Sequence, residues 1–441
     1  MSQQVQFAQQ SQFGGIVRFA VEVALGLNEG GDQTAIWQGP TPDPTWAFWD
    51  DPDKGWSGIV PSWVDITPRV LRIQTKRGRD RWEQQFKVGS CQVVLDNQDG
   101  IFTPDADRPA GAVALRPGRW LRVLGQRTDD GSPWVPLWTG QIDTMQDQYS
   151  TAAHGINAKF LCIDFGGRFQ IDDPPALESP IPAGQLTSAR VALLLDESNW
   201  PDEPVWRDID TGLHTMAESN LAQSRWAEMQ VAATAEGGSM FISAAGVPTF
   251  RNRDWLVDKL DQPPKFTVGA PASGVQVIGA ETDWSSQRIY GDIRYARKGG
   301  SEYRVTDPDS IALYGPRTYR RFDIECETDN QLQALADRFL AAFRFDRSRL
   351  EGIDLAPTSP EGISQLLNLE LGDYIRVTVQ TDGEGQWAYT GDFFVQNIAH
   401  EIDSSDWVTS LRIESAQFDV PLLPAAFTAG FDEGFDSQDS S

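Results

Sequence analysis

Short segments in which hydrophobic and polar residues alternate recur along most of the chain. This period of two is typical of strands that bury one face. The clearest segments predict strands at Ile16 to Ala24, Val70 to Thr75, Phe86 to Asp96 and Ile289 to Arg297. The chain also holds 39 glycines, 27 prolines and 16 tryptophans, which suit short strands joined by turns. The pattern therefore predicts a mainly β protein.

A helical period replaces the alternation in the middle of the chain. Thr187-Ser188 is expected to cap a short helix that ends near Leu195, and a longer helix is predicted from His214 to Ala235. Gly237-Gly238 would end that helix, and a hairpin would follow around Ala245-Gly246. Residues 169–262 are therefore predicted to be an α+β insert.

One further helix is predicted at residues 331–345, with Asp329 or Asn330 as its cap. Its apolar residues share one face, as expected for a helix that packs on a core rather than one that holds a cofactor. These residues are Leu332, Leu335, Ala336, Phe339, Leu340 and Phe343.

A hairpin signature occurs twice, about 250 residues apart. The first copy is Gly118-Arg119-Trp120-Leu121-Arg122-Val123 followed by Trp138-Thr139-Gly140. The second is Gly372-Asp373-Tyr374-Ile375-Arg376-Val377 followed by Tyr389-Thr390-Gly391. Alternation alone could arise by coincidence, but the matched order of residue types favours an internal duplication.

These observations predict two β-barrel domains joined by a small α+β domain, with one long helix in the second barrel region. The expected bounds are 1–13 for a flexible arm, 14–168 for the first barrel with a Trp-rich loop at 37–63, 169–262 for the insert, 263–418 for the second barrel, and 419–441 for an acidic tail.

The charge of the chain disfavours a protein that grips nucleic acid. With 37 basic and 63 acidic side chains the formal net charge is -26, and phosphate binding needs clustered Lys and Arg. DNA that passes nearby without binding is compatible with this charge. Neither an apolar span nor an export signal is found, so we expect a soluble protein with no membrane anchor.

Catalytic and metal-binding motifs are not found. Cys91, Cys162 and Cys326 are odd in number and far apart, which predicts reduced, buried thiols. The histidines lack metal-ligand spacing and are expected on the surface or in strands; they are His154, His214 and His400. The segment Asp96 to Gly100 fails the register of a calcium loop and predicts an Asx-rich turn. We therefore expect no catalytic residue, cofactor or metal site, and no enzyme.

Two segments are candidates for contacts with partners. Tryptophans of the loop 37–63 either fold back on their own domain, contact a neighbouring subunit or stack on sugars, and the candidates are Trp46, Trp49 and Trp56. Phenylalanines of the acidic tail either belong to a disordered segment or dock into a partner's groove, and the candidates are Phe427, Phe431 and Phe435.

The order of several turn and strand motifs resembles the minor tail proteins of long-tailed bacteriophages, especially those of actinobacterial hosts. The motifs of the first half are Val64-Asp65-Ile66-Thr67, Lys76-Arg77-Gly78-Arg79, Val93-Val94-Leu95-Asp96-Asn97 and Leu115-Arg116-Pro117-Gly118-Arg119. Those of the second half are Ala235-Glu236-Gly237-Gly238, Tyr314-Gly315-Pro316-Arg317 and Phe393-Phe394-Val395. Each motif is unspecific alone, but their order from Val17 to Ser415 is fairly specific.

The resemblance implies a tail-tip, or baseplate, hub. Such hubs carry two tube-like barrels per chain, so that a homotrimer presents six barrels to the sixfold tail tube. The implied partners are further copies of the chain, the distal tail ring, the tape measure protein and other minor tail or fibre proteins, and DNA would pass through the hub. The chain would be assembled in the host cytoplasm and reside at the virion's tail tip. A distal tail ring, a fibre-attachment protein and a cell-wall hydrolase are the alternatives.

Two departures from the family's pattern stand out. The loop 37–63 looks longer than the family needs, which suggests a contact specific to this lineage. A long carboxy-terminal region with a peptidase, lysozyme or receptor-binding domain is not found, which favours a non-enzymatic chain and a separate receptor-binding protein.

Overall fold

The computed structural model describes residues 16–26, 62–103, 115–150, 155–174, 179–270, 272–283, 288–345, 349–380 and 388–416. The first strands in chain order are β1 (Val17–Gly26), β2 (Ser62–Asp65), β3 (Val70–Gly78), β4 (Lys87–Asp96), β5 (Trp120–Arg127), β6 (Val135–Ser150) and β7 (Gly155–Ile163). Their alternating burial confirms the strands predicted from the sequence in this region, apart from up to three residues at their ends.

Mixed elements follow in the middle of the chain. They are α1 (Phe165–Ile171), β8 (Gln185–Leu186), α2 (Thr187–Glu197), β9 (Asp208–Ile209), β10 (Thr215–Met216), α3 (Arg225–Glu236), β11 (Ser239–Ile242), β12 (Pro248–Arg251) and α4 (Trp255–Leu260). The hairpin predicted around Ala245-Gly246 is present, since β11 and β12 pair with Met240 opposite Phe250.

Strands dominate again in the last part of the described chain. The elements are β13 (Phe266–Val268), β14 (Val275–Asp283), β15 (Asp292–Arg297), β16 (Glu302–Thr306), α5 (Pro308–Tyr314), β17 (Thr318–Ile324), α6 (Asp329–Phe343), β18 (Arg349–Pro357), α7 (Pro360–Leu367), β19 (Tyr374–Gln380), β20 (Ala388–Asp403) and β21 (Trp407–Ser415).

Thirteen strands form one large sheet that contains the same strand order twice. The order β3-β4-β7-β6-β5 recurs as β14-β18-β21-β20-β19. We call these two sets the first and the second repeat. The three strands of the duplicated signature have 8, 16 and 9 residues in the first repeat and 7, 16 and 9 in the second.

The turn before the hairpin is hydrogen-bonded in the same way in both repeats. Gly118 donates its backbone N–H to the carbonyl oxygen of Ile142 at 2.7 Å, and Gly372 donates to Val395 at 2.7 Å. A β-bulge follows Ile142 on β6 and Val395 on β20, so the backbone irregularity is duplicated too.

The paired residues are offset by two positions between the repeats. Leu121 lies opposite Gly140, whereas Ile375 lies opposite Phe393, two residues beyond Gly391. Because side chains alternate with a period of two, an even offset keeps the same faces buried. Leu121 and Ile375 are both fully buried accordingly.

The prediction of a mainly β chain with an α+β portion is confirmed, but the strand pairing does not give two closed barrels. Among the described residues, the hydrogen-bonded path runs without closure from β14 to β2 and crosses from one repeat to the other at β20 and β3. Almost all pairs are antiparallel, and β13 with β19 is a parallel pair.

The long helix packs differently from the expectation. It spans Asp329–Phe343 rather than 331–345, and its cap is Thr328, whose side chain forms a capping box with Gln331. Its apolar residues lie in a second hydrophobic core together with α1, α2, α3 and the sheet β16-β15-β17, separate from the core of the large sheet. The reason is the aromatic cluster that Phe339 forms with Tyr290, Tyr295 and Tyr319.

The helix predicted from His214 to Ala235 is too long at its start. It begins at Arg225, because Ser224 accepts a hydrogen bond from the N–H of Ala227 and residues 215–216 are used in β10. It ends, as predicted, at Gly237, which adopts a left-handed conformation. Thr187 does not cap α2, because its hydroxyl group donates to Glu236 instead.

Candidate assembly site

The two repeats meet where β3 pairs with β20. The pairing is antiparallel and extends from Gly78 opposite Asn397 to Arg72 opposite Asp403. The carboxy-terminal half of β20 is therefore hydrogen-bonded on both sides, to β21 of its own repeat and to β3 of the other. We call this strand pair and the side chains around it the junction.

A buried arginine connects three parts of the chain at the junction. Arg77 is 3% exposed and donates a hydrogen bond of 2.6 Å to Glu370, in the turn before β19. The other carboxylate oxygen of Glu370 accepts from the N–H of Ala244, between β11 and β12, at 2.9 Å. A single carboxylate thus links the first repeat, the second repeat and the α+β portion.

The backbones come into close contact beside this ion pair. Gly78 has a φ of +113°, and a Cβ atom at this position would lie 2.2 Å from the carbonyl oxygen of Gln396. The neighbouring Arg79 donates to the side chain of Gln396 at 2.7 Å. The residue at position 78 must therefore be glycine for both steric and conformational reasons.

A second buried arginine lies among three glutamates, beyond the end of the junction where Gly78 pairs with Asn397. Arg288 is 3% exposed and contacts Glu83, Glu351 and Glu414 at 3.3, 2.9 and 2.6 Å. Burial by itself would lower the pKa of Arg288, but the three carboxylates raise it above its usual value. These contacts connect the segment after β3 with β18 and β21.

Two more titratable groups are buried near the junction. Burial, with a smaller effect of the Arg77 charge, lowers the pKa of His400 to about 3. Its Nδ1 atom lies 3.0 Å from the hydroxyl group of Thr409. Burial raises the pKa of Asp164 to about 7, although this carboxylate accepts from the N–H groups of Gly89 and Gly166. Both side chains fill structural positions with hydrogen-bonded partners.

The duplicated turns differ in charge at one matched position. Asp373 of the second repeat contacts Lys265 at 2.7 Å and is largely buried, whereas Arg119 stands at this position in the first repeat. The two hairpins thus share backbone geometry but offer different electrostatic surroundings to any neighbour.

The partner-contact residues predicted from the sequence lie outside the described residues. They are Trp46, Trp49, Trp56, Phe427, Phe431 and Phe435. Of the tryptophans in the loop 37–63, Trp63 is described, and the guanidinium group of Arg122 lies 4.2 Å from its ring centre. At this one position the tryptophan packs on its own repeat.

Sequence reasoning missed the junction residues Arg77, Arg288 and Glu370. The sequence from Lys76 to Arg81, between the predicted strands Val70 to Thr75 and Phe86 to Asp96, is typical of a basic turn, although Arg77 lies inside β3 and is buried. A signal was available, because a cluster of basic residues is unusual in so acidic a chain and indicates internal ion pairs.

The described residues form no cluster of three or more His, Cys, Asp or Glu side chains that could hold a metal ion. Cys91 and Cys162 lie opposite each other on β4 and β7 as buried free thiols, and Cys326 is also buried and free. His214 is buried against the carbonyl oxygen of Ala235, and His154 lies outside the described residues. Helices of the described part are too short or too polar to cross a bilayer.

Comparison of the whole fold with solved structures identifies similar proteins. The tail protein from Neisseria meningitidis MC58 aligns with a TM-score of 0.54 and 15% sequence identity, over 82% of this chain and 95% of that protein. The chain shares the fold of phage tail proteins. A second example is the 43 kDa tail protein of prophage MuSo2 from Shewanella oneidensis, with a TM-score of 0.52 and 10% identity over 81% of this chain and 97% of that one.

Comparisons by sequence gave no such result. No protein-family model matches the chain, and no curated protein sequence matches it significantly. At 10 to 15% identity the structural likeness concerns the fold alone.

Proposed function

We propose that this chain is a structural, non-catalytic hub at the tip of a bacteriophage tail. Three copies would assemble around the tail axis, close the tube, anchor fibres or other tip proteins and open for DNA ejection. The observation that carries the proposal is the duplicated strand order with matched turns and bulges, on a fold similar to that of phage tail proteins.

The duplication supports this proposal through symmetry. A chain with two equivalent units offers six units as a trimer, which would match a sixfold tube on one side and threefold parts on the other. The junction holds the two units in one fixed orientation through Arg77, Glu370 and Arg288. A rigid spacing between the units is what such a ring would require.

Charge supports the passage of DNA. A formal net charge of -26 repels phosphate, so a channel through this protein would let DNA slide without binding. The implied partners are a distal tail ring above the hub, the tape measure protein, and minor tail or fibre proteins at the tip. We propose an actinobacterial host on the order of the sequence motifs alone.

The copy number in assembled tails tests the proposal. We expect cryo-electron microscopy of isolated tails to place three copies on the tube axis, each contributing two repeats to a ring of six. Six copies in a ring would identify a distal tail protein instead, and copies on the flank of the tail would also contradict the proposal. Mass photometry of purified protein should show a species of three times the 48.9 kDa chain.

The non-catalytic part of the proposal has a separate test. We expect no clearing when the purified protein is run on a gel that contains host peptidoglycan. Clearing that persists after further purification would show a cell-wall hydrolase.

The tryptophans of the loop 37–63 are proposed as contacts with a neighbouring subunit. Replacing Trp46, Trp49 and Trp56 together with Ala should then reduce trimer formation. Normal trimers and tails that fail to adsorb to host cells would indicate sugar binding instead.

A further inference from the structure

An uncovered sheet face carries a row of three arginines. In the three-stranded sheet β16-β15-β17, Arg294 lies opposite Arg304 on one side and opposite Arg320 on the other. The opposite face of this sheet, with Ile293 and Tyr295, packs on the core that contains α6. We call the exposed side the arginine face.

The arginine row is only partly neutralised. Like charges directly opposite each other on neighbouring strands destabilise a sheet, so the row needs compensation. Asp292 accepts hydrogen bonds from Arg294 at 3.1 Å and from Arg304 at 2.7 Å. Burial alone would raise the pKa of Asp292, but these bonds and one from Thr318 lower it to about 2. Asp292 thus serves two guanidinium groups, and Glu302 adds a longer contact of 3.8 Å to Arg294.

Arg320 is the third member of the row. It is exposed and makes no hydrogen bond or ion pair with any side chain in the described part of the protein. Two residues further along β17, the ring of Phe322 is 50% exposed. An occupant of this face should therefore combine carboxylates with a large apolar side chain.

We propose that the acidic segment 419–441 of the same chain binds to the arginine face. This segment holds five acidic residues, Asp419, Asp432, Glu433, Asp436 and Asp439, and no Lys or Arg. It also holds Phe427, Phe431 and Phe435, of which the last two are each followed directly by an acidic residue, and these rings would pack against Phe322. Charge and apolar content thus complement the face. The proposal does not depend on the function proposed above.

The chain reaches the face easily. Glu414 forms its 2.6 Å ion pair with Arg288, and Arg288 precedes Arg294 by six residues. Extended chain spans about 3.3 Å per residue, so Arg294 lies within roughly 20 Å of Arg288 along the backbone. Phe431 follows Ala416 by 15 residues, which allows a span of about 50 Å.

Hydrogen–deuterium exchange on the full chain tests the proposal. We expect peptides from 427–436 to exchange at least tenfold more slowly than an unstructured peptide, and this protection to disappear in R320E and at high salt. Arg116 is the matched control, since it is also exposed and has no side-chain partner in the described part. R116E should leave the protection unchanged. The proposal would be overturned if these peptides exchanged as fast as an unstructured peptide in the wild type, or if R320E and R116E lost their protection equally.

Two further experiments identify the contact and its geometry. Adding D432R and E433R to the R320E variant restores opposite charges on the two sides of the contact. The protection should then return if these side chains meet. In the F322C/F431C variant, oxidation should give a cross-link within one chain, because the native cysteines of the described part are buried. A cross-linked dimer would show that the segment binds a second copy, and no cross-link together with failed recovery would show another binding site.

Discussion

The guanidinium group of Arg77 and the carboxylate of Glu370 lie 2.6 Å apart across the junction, although Arg77 is almost completely buried. Residues 293 positions apart in the chain form this pair, and Glu370 also accepts from Ala244. Removing the carboxylate would leave the buried guanidinium group of Arg77 without its charged partner, so the contact is more important for stability than an ion pair between two exposed side chains.

Glu370→Ala should destabilise the protein by about 2 kcal/mol, because Arg77 and the N–H of Ala244 both lose their acceptor. Denaturant-induced unfolding measures the change. Glu281→Ala is a control, because the side chains of Glu281 and its ion-pair partner Arg412 are 64% and 39% exposed. This exposed pair should contribute less than about 1 kcal/mol. Equal effects of both substitutions would contradict the role of Glu370 at the junction.

Gly78→Ala should be more harmful than the same substitution at Gly131. Both glycines have positive φ angles, +113° and +72°, but a Cβ at Gly78 would meet backbone atoms of Gln396 and Asn397 at 2.2 and 2.7 Å. Nothing lies within 4 Å of a Cβ at Gly131. We expect a cost of about 1 kcal/mol at Gly131 and at least about 3 kcal/mol at Gly78, measured by thermal unfolding. Similar melting temperatures for the two variants would exclude close packing at the junction.

The alternating pattern and the duplicated signature predict the strands because both are local properties. The segment Phe86 to Asp96 is observed as Lys87–Asp96, and the repeats at Gly118 and Gly372 form matching turns. The packing of α6 depends on distant residues such as Tyr319, so its amphipathic face could not reveal which core it joins. The start of α3 was misjudged because β10 competes for the same residues.

The junction could not be predicted, because its members are separated in the chain by hundreds of residues. Arg77 and Glu370 look like ordinary charged residues in the sequence, and only the pairing of β3 with β20 brings them together. Likewise Cys91 and Cys162 appear unrelated in the sequence but lie opposite each other on neighbouring strands.

His400 should make the protein less stable in acid. The unfolded chain binds a proton near pH 6.5, whereas the folded state resists until about pH 3, so stability falls as pH decreases between these values. Each pH unit in this window costs about 1.4 kcal/mol. His400→Asn keeps an acceptor for Thr409 but cannot be protonated, and should remove this contribution of His400, which is about 2 to 3 kcal/mol between pH 6.5 and 4.5. Urea unfolding at several pH values measures the free energy of unfolding. If this free energy depends on pH in the variant as it does in the wild type, His400 is protonated in the folded state.

Asp164 should act in the opposite direction over nearly the same window. Its folded-state pKa of about 7 lies above the usual 3.8, so its stabilising contribution is complete below pH 3.8 and is lost as pH rises to 7. Asp164→Asn cannot ionise and should abolish this decline, at a constant cost of about 1 to 2 kcal/mol because one of the N–H groups of Gly89 and Gly166 loses its acceptor.

Because the contributions of Asp164 and His400 offset each other, the wild type should show little pH dependence from these two groups between pH 4 and 6.5. The variants with one substitution should then show slopes of opposite sign, and the double variant should return to the wild-type slope. Slopes of the same sign in both variants would contradict the assignment of a protonated Asp164 and a neutral His400.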